Sequence, residues 1–312
     1  MFLSRKFENQ NYFNMHQYLR QFSSLSRIST FYILLFSMLM FSSQPLCAQL
    51  KPDAKEISHT ALPSVRIMTD SFYMPQLHRY RRVWICLPHD YDKKTTKYPV
   101  IYMHDGQNVF DAKTSYAGEW GVDECLDTLE RKTGKGFIVV AVDNGSDKRI
   151  GEYTAWKNSK YGGGEGAQYI DFMAKTLKPY IDKHYRTLSN KENTAMIGSS
   201  LGGLISVYAA VRYPYIYGKI GNFSPAYWIN MDSLKTYIKM TKQPVSFRLY
   251  TFAGKKESET ITTDIYSVEE LLKQAGLKSS QIKTTIYDDG EHREWFWRRE
   301  FPKAVEWLFM LK

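Results

Sequence analysis

Cysteine is scarce in this sequence, which has three among 312 residues. So few thiols exclude the disulfide framework of a small secreted scaffold. We expect Cys86 and Cys125 to be unpaired and mostly buried. No repeat or low-complexity tract interrupts the chain beyond residue 60, and 43% of the residues are hydrophobic. We therefore predict one folded domain at 61–312, preceded by a linker at 49–60.

The sequence also lacks an apolar run long enough to cross a membrane. The stretch "FYILLFSMLMF" (31–41) has eleven residues, whereas a membrane-spanning helix needs roughly 20. Arg20 and Arg27 precede this stretch, and "SSQPLCAQ" follows it. This arrangement is typical of a secretory signal peptide with an extended N-region, which we place at 1–48. We predict an exported protein, periplasmic or secreted, with no stable membrane span after cleavage. A lipoprotein attached through Cys47 is the alternative.

A basic patch for nucleic acid is absent as well, although the formal net charge is +10. The basic residues are spread over the sequence, as in "HRYRR", "KKTTK" and "WRRE". They are not interleaved with aromatic residues in one tract, so we expect a solvated basic surface and no nucleic-acid partner. The sequence does not indicate an oligomeric state.

Apolar strand patterns alternate with helical patterns along most of the chain. Two β-rich runs, "SVRIMTDSFY" and "HRYRRVWICLP", come first and predict an antiparallel pair at a sheet edge. Near-continuous apolar strands then alternate with helices, one of which we expect at 167–185. The pattern predicts an α/β fold with a mostly parallel central sheet and helices on both faces. In such folds ligands bind at the carboxyl ends of the strands.

One strand-to-helix corner carries the pattern Gly-x-Ser-x-Gly, with Ser200 at its centre. The pattern lies between the apolar strand "TAMI" and the apolar helix "LISVYAA". Such a corner holds the serine on a sharp, strained turn, with its hydroxyl exposed above the sheet edge and near the positive end of a helix. We predict that Ser200 is a nucleophile and that Ser199 helps to form the turn.

A serine nucleophile needs a base and an orienting acid, in the chain order serine, acid, histidine. Of the seven histidines only His292 follows Ser200, and it comes directly after the last predicted strand. For the acid we favour Glu257, which comes just after a strand. The other candidates for this role are Glu259, Asp264, Asp288 and Asp289.

The reaction also needs donors for the oxyanion. One backbone amide is expected from the residue after the nucleophile, Leu201, and the other from a loop after the first parallel strand. That loop reads "YMHDGQNVFD". We assign the second donor to the amide of Gln107, with Gly106 permitting a close approach of the loop.

Several stretches resemble the putative-esterase family of α/β-hydrolases, which includes enterochelin, feruloyl and acetylxylan esterases, S-formylglutathione hydrolases and mycolyltransferases. They include "YPVIYMHDGQNVFD", "AGEWGVDECLDTL" and "AMIGSSLGGLISVYAAVRYPYIYGKIGNFSPAYW". The resemblance implies an α/β-hydrolase fold over 61–312. It also places Ser200, Glu257 and His292 on the triad positions, and Gln107 and Leu201 on the oxyanion amides.

Aromatic residues on loops at the same edge are candidates for contacts with substrate: Trp156, Tyr227, Trp228 and Trp295. We expect no cofactor. We also expect no metal, because the pair His104–Asp105 has no further ligand at suitable spacing. Asp105 should hydrogen-bond within its own loop, and Arg149 should pair with Glu152.

These observations predict an exported serine esterase that acts on small-molecule or oligosaccharide esters, with an acetyl or feruloyl ester of a carbohydrate as the favoured substrate. A siderophore esterase and an acyltransferase with the same triad remain alternatives. A carbohydrate-binding protein without catalysis is a third alternative, although every catalytic position holds a competent residue.

Overall fold

A computed structural model describes residues 57–311 of the chain. These residues form one eight-stranded sheet with helices around it. The predicted signal peptide and the first part of the predicted linker lie outside these residues. The strand order is β1-β2-β4-β3-β5-β6-β7-β8. The strands are β1 (Val65–Met74), β2 (Arg79–Cys86), β3 (Val100–Met103), β4 (Ile138–Val142), β5 (Thr194–Ser199), β6 (Lys219–Phe223), β7 (Arg248–Gly254) and β8 (Ile282–Tyr287).

The burial of the central strands matches their apolar pattern. Strands β3 to β6 are buried along their whole length, as expected for apolar runs covered on both faces, and they pair in parallel with one another. Strand β1 is half exposed and pairs antiparallel with β2, which also runs antiparallel to β4. The predicted mostly parallel sheet with an antiparallel N-terminal edge is confirmed.

Helices cover both faces of the sheet. A core containing residues of α1 and α8 packs on one face, and a larger core containing residues of α2 to α7 packs on the other. No helix in the described part of the chain is both long and apolar enough to cross a membrane. The helices are α1 (Val122–Thr133), α2 (Arg149–Tyr153), α3 (Gly166–Phe172), α4 (Lys178–His184), α5 (Leu201–Arg212), α6 (Met231–Lys239), α7 (Ile261–Gln274) and α8 (Glu294–Phe309).

The single helix expected at 167–185 is divided into α3 and α4. A π-helical turn, Met173–Leu177, separates them, and Pro179 lies in the first turn of α4. Proline has no amide hydrogen to donate, and its ring clashes with the carbonyl four residues earlier. The wider π turn changes the spacing of the carbonyl groups at this position, which accounts for the interruption.

The two cysteines in the described residues are both free, as predicted. Cys86 is buried and Cys125 is half-buried. Burial raises the pKa of each thiol to about 12. Both side chains therefore act as small apolar groups in the core.

Candidate active site

Ser200 forms the corner between β5 and α5. Its backbone has φ 57° and ψ −121°, in the positive-φ region that non-glycine residues rarely adopt. Two hydrogen bonds hold this conformation: the Ser200 amide donates to the Phe223 carbonyl (2.9 Å), and the Ala226 amide donates to the Ser200 carbonyl (3.0 Å). Ser199 is buried, whereas Ser200 is partly exposed. The strained turn therefore presents Ser200, and not Ser199, at the carboxyl edge of the sheet.

The glycine two positions before Ser200 is required by a close approach of the backbone. A Cβ on Gly198 would lie 2.7 Å from the carbonyl carbon of Gly202, in the first turn of α5. Real Cβ atoms do not approach backbone atoms this closely. The strand and the helix can meet at this sharp angle only because position 198 has no side chain.

A hydrogen bond joins His292, which follows β8, to Glu257, which follows β7. His292 Nδ1 lies 2.8 Å from Glu257 Oε2, and the glutamate side chain is only 2% exposed, against 44% for the imidazole. The other carboxylate oxygen, Oε1, accepts a hydrogen bond from the amide of Gly254 (2.6 Å). Within residues 57–311 no hydrogen bond links Ser200 Oγ to the imidazole, and such bonds often form only in a substrate complex. Since Nδ1 faces Glu257, Nε2 is the nitrogen that can accept a proton from a hydroxyl.

Ser224 connects this pair to α8, a role that the sequence analysis did not assign. Its hydroxyl donates to Glu257 Oε1 (2.8 Å) and accepts from the indole N–H of Trp297 (2.9 Å). The same indole packs edge-to-face against His292, with ring centroids 5.2 Å apart. Ser224 and Trp297 thus fix both members of the histidine–glutamate pair. The sequence signal that could have indicated this role is the position of Ser224, a polar residue directly after a predicted strand in "NFSP".

The other four candidate acids contact groups other than His292 or are exposed. Glu259 is exposed, and Asp264 accepts a hydrogen bond from a neighbouring threonine in the first turn of α7. Asp288 and Asp289 face a lysine (3.6 Å) and an arginine (2.5 Å), respectively. Among these carboxylates only Glu257 bonds to His292 in the described part of the chain.

Two backbone amides near the corner are available as donors. The Leu201 amide opens α5, where first-turn amides have no acceptor within the helix. The Gln107 amide also donates to no acceptor within residues 57–311. Its loop is held by two hydrogen bonds, from Thr114 Oγ1 to the Gln107 carbonyl (2.8 Å) and from the Asn144 amide to Gln107 Oε1 (3.1 Å). A Cβ on Gly106 would lie 2.9 Å from backbone atoms at the end of β4, so this loop also requires a glycine.

The Asp105 carboxylate does not bond within its own loop, contrary to the expectation, although the Asp105 carbonyl accepts from the Asn108 amide (2.8 Å). Its carboxylate accepts two hydrogen bonds from Arg149, from Nε (2.7 Å) and Nη2 (2.9 Å), and one from Asn144 Nδ2 (2.6 Å). Burial by itself would raise the pKa of Asp105, but the charge and the hydrogen bonds of Arg149 lower it. The ion pair ties the Gln107 loop to α2.

The predicted pair of Arg149 with Glu152 is therefore wrong. Glu152 is fully buried and pairs with two arginines of β2, with Arg79 Nη1 (2.9 Å) and with Arg81. The sequence spacing favoured the local pair, but residues 149 and 152 contact different elements. Tertiary packing supplies each with a partner from a distant segment.

His104 lies in the core beside the Ser200 corner. Its Nδ1 is 2.9 Å from the Tyr169 hydroxyl, and its Nε2 is 3.1 Å from Ser206 Oγ, which itself donates to the Gly202 carbonyl (2.7 Å). Because the Ser206 proton is committed to that carbonyl, Nε2 donates and Nδ1 accepts. Burial lowers the pKa of His104 to about 4. The imidazole is therefore neutral and braces α5 against β3.

Two of the four candidate aromatic residues are largely occupied by packing. Tyr227 is 1% exposed, and its hydroxyl accepts a hydrogen bond from Asn222 (2.7 Å). Trp156 packs edge-on against Tyr208 and Tyr237, with centroid distances of 5.3 and 5.5 Å. In this structure Tyr227 has almost no surface to offer to a ligand.

The other two aromatic residues have accessible rings. Trp228 is 53% exposed and meets Tyr161 edge-to-face at 5.4 Å. Trp295, in the first turn of α8, is 44% exposed and lies beside the guanidinium of Arg299. These are the rings that can contact a ligand without rearrangement of the core.

Comparisons with known proteins agree with this geometry. The family model described as "Putative esterase" matches residues 75–308. The uncharacterized protein YbbA of Bacillus subtilis is 25% identical over 242 residues, which cover 73% of this chain and 92% of YbbA. The endo-1,4-beta-xylanase/feruloyl esterase of Xylanibacter ruminicola is 26% identical over 268 residues, which cover 82% of this chain but only 32% of that longer protein.

Solved structures show the same fold. The enterobactin esterase FES of Shigella flexneri superposes with a TM-score of 0.65 and 20% identity, over 80% of this chain and 60% of that one. A ferulic acid esterase superposes with a TM-score of 0.59 and 17% identity, over 79% of this chain and 99% of that one. The α/β-hydrolase fold and the family resemblance read from the sequence are confirmed. The chain belongs to the family described as "Putative esterase", and it is a carboxylic ester hydrolase.

Proposed function

We propose that the protein is an exported serine esterase that uses Ser200, His292 and Glu257 as its triad. The observation that carries this proposal is the strained Ser200 corner at the same sheet edge as an imidazole whose Nδ1 is held by a buried glutamate. This is the arrangement of a nucleophile, a base and an orienting acid. The order of the three residues along the chain is also that of α/β-hydrolases.

In the proposed reaction, Ser200 Oγ attacks the ester carbonyl carbon while His292 Nε2 takes the hydroxyl proton. The amides of Gln107 and Leu201 bind the oxyanion, a contribution worth about 10²–10³ in rate for one donor. The bond to the alcohol breaks, and His292 returns the proton to the leaving oxygen. Water then attacks the acyl-serine, His292 takes its proton, and the carboxylic acid leaves as Ser200 regains a proton. Glu257 holds the imidazole tautomer and stabilises the imidazolium.

For the substrate we propose an acyl ester of a carbohydrate, with an acetyl or feruloyl group. The exposed rings of Trp228 and Tyr161 support this, because flat aromatic faces stack on sugar and phenolic rings. Two hydrogen bonds join the loops that carry them, from Asn158 Nδ2 to the Ile229 carbonyl (2.7 Å) and from Asn230 Nδ2 to the Trp156 carbonyl (3.1 Å). These bonds and the edge-to-face contact between the two rings hold the two loops together.

The mechanism is tested by Ser200→Ala, with Ser199→Ala as the matched control. We expect Ser200→Ala to abolish p-nitrophenyl acetate hydrolysis and covalent labelling by a fluorophosphonate, and Ser199→Ala to retain both. Wild-type hydrolysis by a folded Ser200→Ala variant would refute the mechanism. Failure of the wild-type protein to be labelled would favour a binding protein without catalysis.

The substrate class is tested by comparing acetyl-xylan, feruloyl-oligosaccharide and catecholate esters, with and without a sugar acceptor. We expect Trp228→Ala to lower kcat/KM for the carbohydrate esters about tenfold while p-nitrophenyl acetate hydrolysis is unchanged. Tyr215→Ala, which removes a 69% exposed ring at the opposite edge of the sheet, is the control. A preference for catecholate esters would favour a siderophore esterase, and acylated sugar products would favour acyl transfer.

Export is supported by the sequence of residues 1–48. We expect the full chain, expressed in a bacterial host, to leave the cytoplasm and to begin at Gln49 after cleavage. A cytoplasmic protein that retains residues 1–48 would refute this part of the proposal.

A further inference from the structure

Three carboxylates lie together outside the active site, around the start of α1. Glu119, Asp123 and Glu124 each offer an oxygen, and these oxygens all lie within 4.8 Å of one another. The side chain of Glu119 is 5% exposed and that of Glu124 is 33% exposed. Asp123 as a whole residue is 1% exposed. The sequence analysis gave these residues no role.

The hydrogen bonds of this acidic cluster are incomplete. Glu119 Oε2 accepts from Thr60 Oγ1 (2.7 Å), and Asp123 Oδ2 accepts from the Leu62 amide (2.8 Å). The second oxygens, Glu119 Oε1 and Asp123 Oδ1, are buried and have no hydrogen-bond partner within residues 57–311, and the same is true of Glu124 Oε2. A buried carboxylate oxygen without a partner is strongly unfavourable. When all three carboxylates are ionised, each member of the cluster therefore lacks a partner on one side within residues 57–311.

Within residues 57–311 one nearby cation, Arg298, faces the cluster, and it does not complete the site. Arg298 Nη1 is 3.9 Å from Glu119 Oε1, and Nη2 is 3.9 Å from Glu124 Oε1, both beyond hydrogen-bond distance. A single positive charge thus lies near three carboxylates. Asp123, the most buried of the three, forms no ion pair with it.

We propose that Glu119, Asp123 and Glu124 bind a divalent cation, and that the cation is Ca²⁺. The donors are all carboxylate oxygens, which hard cations prefer. Ca²⁺ accepts about six to eight oxygen ligands in a flexible geometry, whereas Mg²⁺ keeps several waters and is usually held by one or two carboxylates, so three carboxylates favour Ca²⁺. The three oxygens lie close enough together to reach one ion. Water supplies the remaining ligands, since Glu124 is partly exposed.

The position of the acidic cluster indicates what the cation does. Glu119 and Asp123 hold the segment at Thr60 and Leu62, and Gly118 packs closely against Glu294, the first residue of α8. His292 lies two residues before this helix. Bound Ca²⁺ therefore stabilises the attachment of the N-terminal segment and the loop that supports the start of α8.

The cation is tested directly with Tb³⁺, which binds Ca²⁺ sites and emits when a nearby tryptophan is excited. Trp120, next to Glu119, is buried at the site. With the full chain stripped by EDTA, we expect tryptophan-sensitised Tb³⁺ emission that Ca²⁺ displaces, and a rise in Tm of several degrees on adding Ca²⁺. Glu124→Gln, at the most exposed position of the three, removes a charged ligand and should weaken Ca²⁺ binding by at least about 10-fold, the smallest loss typical even for a group that only supports a metal ligand.

Asp127→Asn is the matched control, because Asp127 lies one turn further along α1 and pairs with Arg131 at the surface. It should bind Tb³⁺ and Ca²⁺ as the wild type does. The proposal is overturned if Ca²⁺ at millimolar concentration changes neither the emission nor Tm, or if Glu124→Gln and wild type respond equally. A response to Mg²⁺ alone would overturn the choice of Ca²⁺. These readouts do not depend on esterase activity.

Discussion

Glu257→Gln tests the role of the buried glutamate with almost no change in shape. Oε1 of Glu257 accepts two hydrogen bonds, from Gly254 and Ser224, and Oε2 faces His292. The amide of Gly254 can only donate, so glutamine must place its carbonyl oxygen at that position. Its NH₂ group then faces Nδ1 of His292. The imidazole is forced into the tautomer with its proton on Nε2, and it can no longer accept a proton from Ser200.

We expect kcat/KM for p-nitrophenyl acetate to fall about 10²–10⁴-fold, equivalent to about 3–5 kcal/mol of lost transition-state stabilisation. Because both hydrogen bonds to Oε1 are kept, Tm should change by no more than a few degrees. Glu259→Gln, at an exposed position two residues away, should retain wild-type kinetics. The reasoning is refuted if folded Glu257→Gln keeps more than a third of the wild-type kcat/KM, or if Glu259→Gln shows the large loss instead.

Three further predictions concern the supports of the site. Ser224→Ala leaves the buried Trp297 N–H without its partner and should lower the free energy of unfolding by about 1–3 kcal/mol, which urea unfolding measures. In steady-state kinetics kcat should fall about tenfold while KM is unchanged. Arg149→Leu leaves the Asp105 carboxylate buried and should cost about 3–5 kcal/mol in urea unfolding, with partial recovery in the double variant that also carries Asp105→Asn. The pKa of His104 is about 4 in the folded protein, whereas an unfolded histidine has a pKa of about 6.5. Between about pH 4 and about pH 6.5 the unfolded state therefore binds more protons than the folded state. The contribution of His104 to stability, up to about 3 kcal/mol, should be lost as pH falls from about 6.5 to about 4 in urea titrations, and His104→Gln should lack this component.

The layout of the fold was predictable because its signals are local. The edge pair β1–β2 and the apolar strands β3 to β6 each occupy a short run whose composition suits only one environment. The interruption between α3 and α4 was missed, because the helical periodicity on both sides of the π turn is continuous in the sequence. Pro179 was the local signal for this break.

The sequence by itself determined the order of the strands along the chain and the Ser200 corner, and it left His292 as the only histidine after Ser200; it predicted neither α2 nor α6. These conclusions depend on apolar periodicity and on a glycine pattern within a few residues, so they need no knowledge of distant contacts. The sequence favoured Glu257 among five acids, and only the tertiary structure joined it to His292. The tertiary structure likewise showed that Ser224 and Trp297 support that pair and that Arg149 pairs with Asp105. It also showed that Glu119 and Asp123 bind the segment at Thr60 and Leu62. The physical reason is that such polar contacts join side chains from separate elements, and the packing of the whole sheet and its helices decides which of them meet.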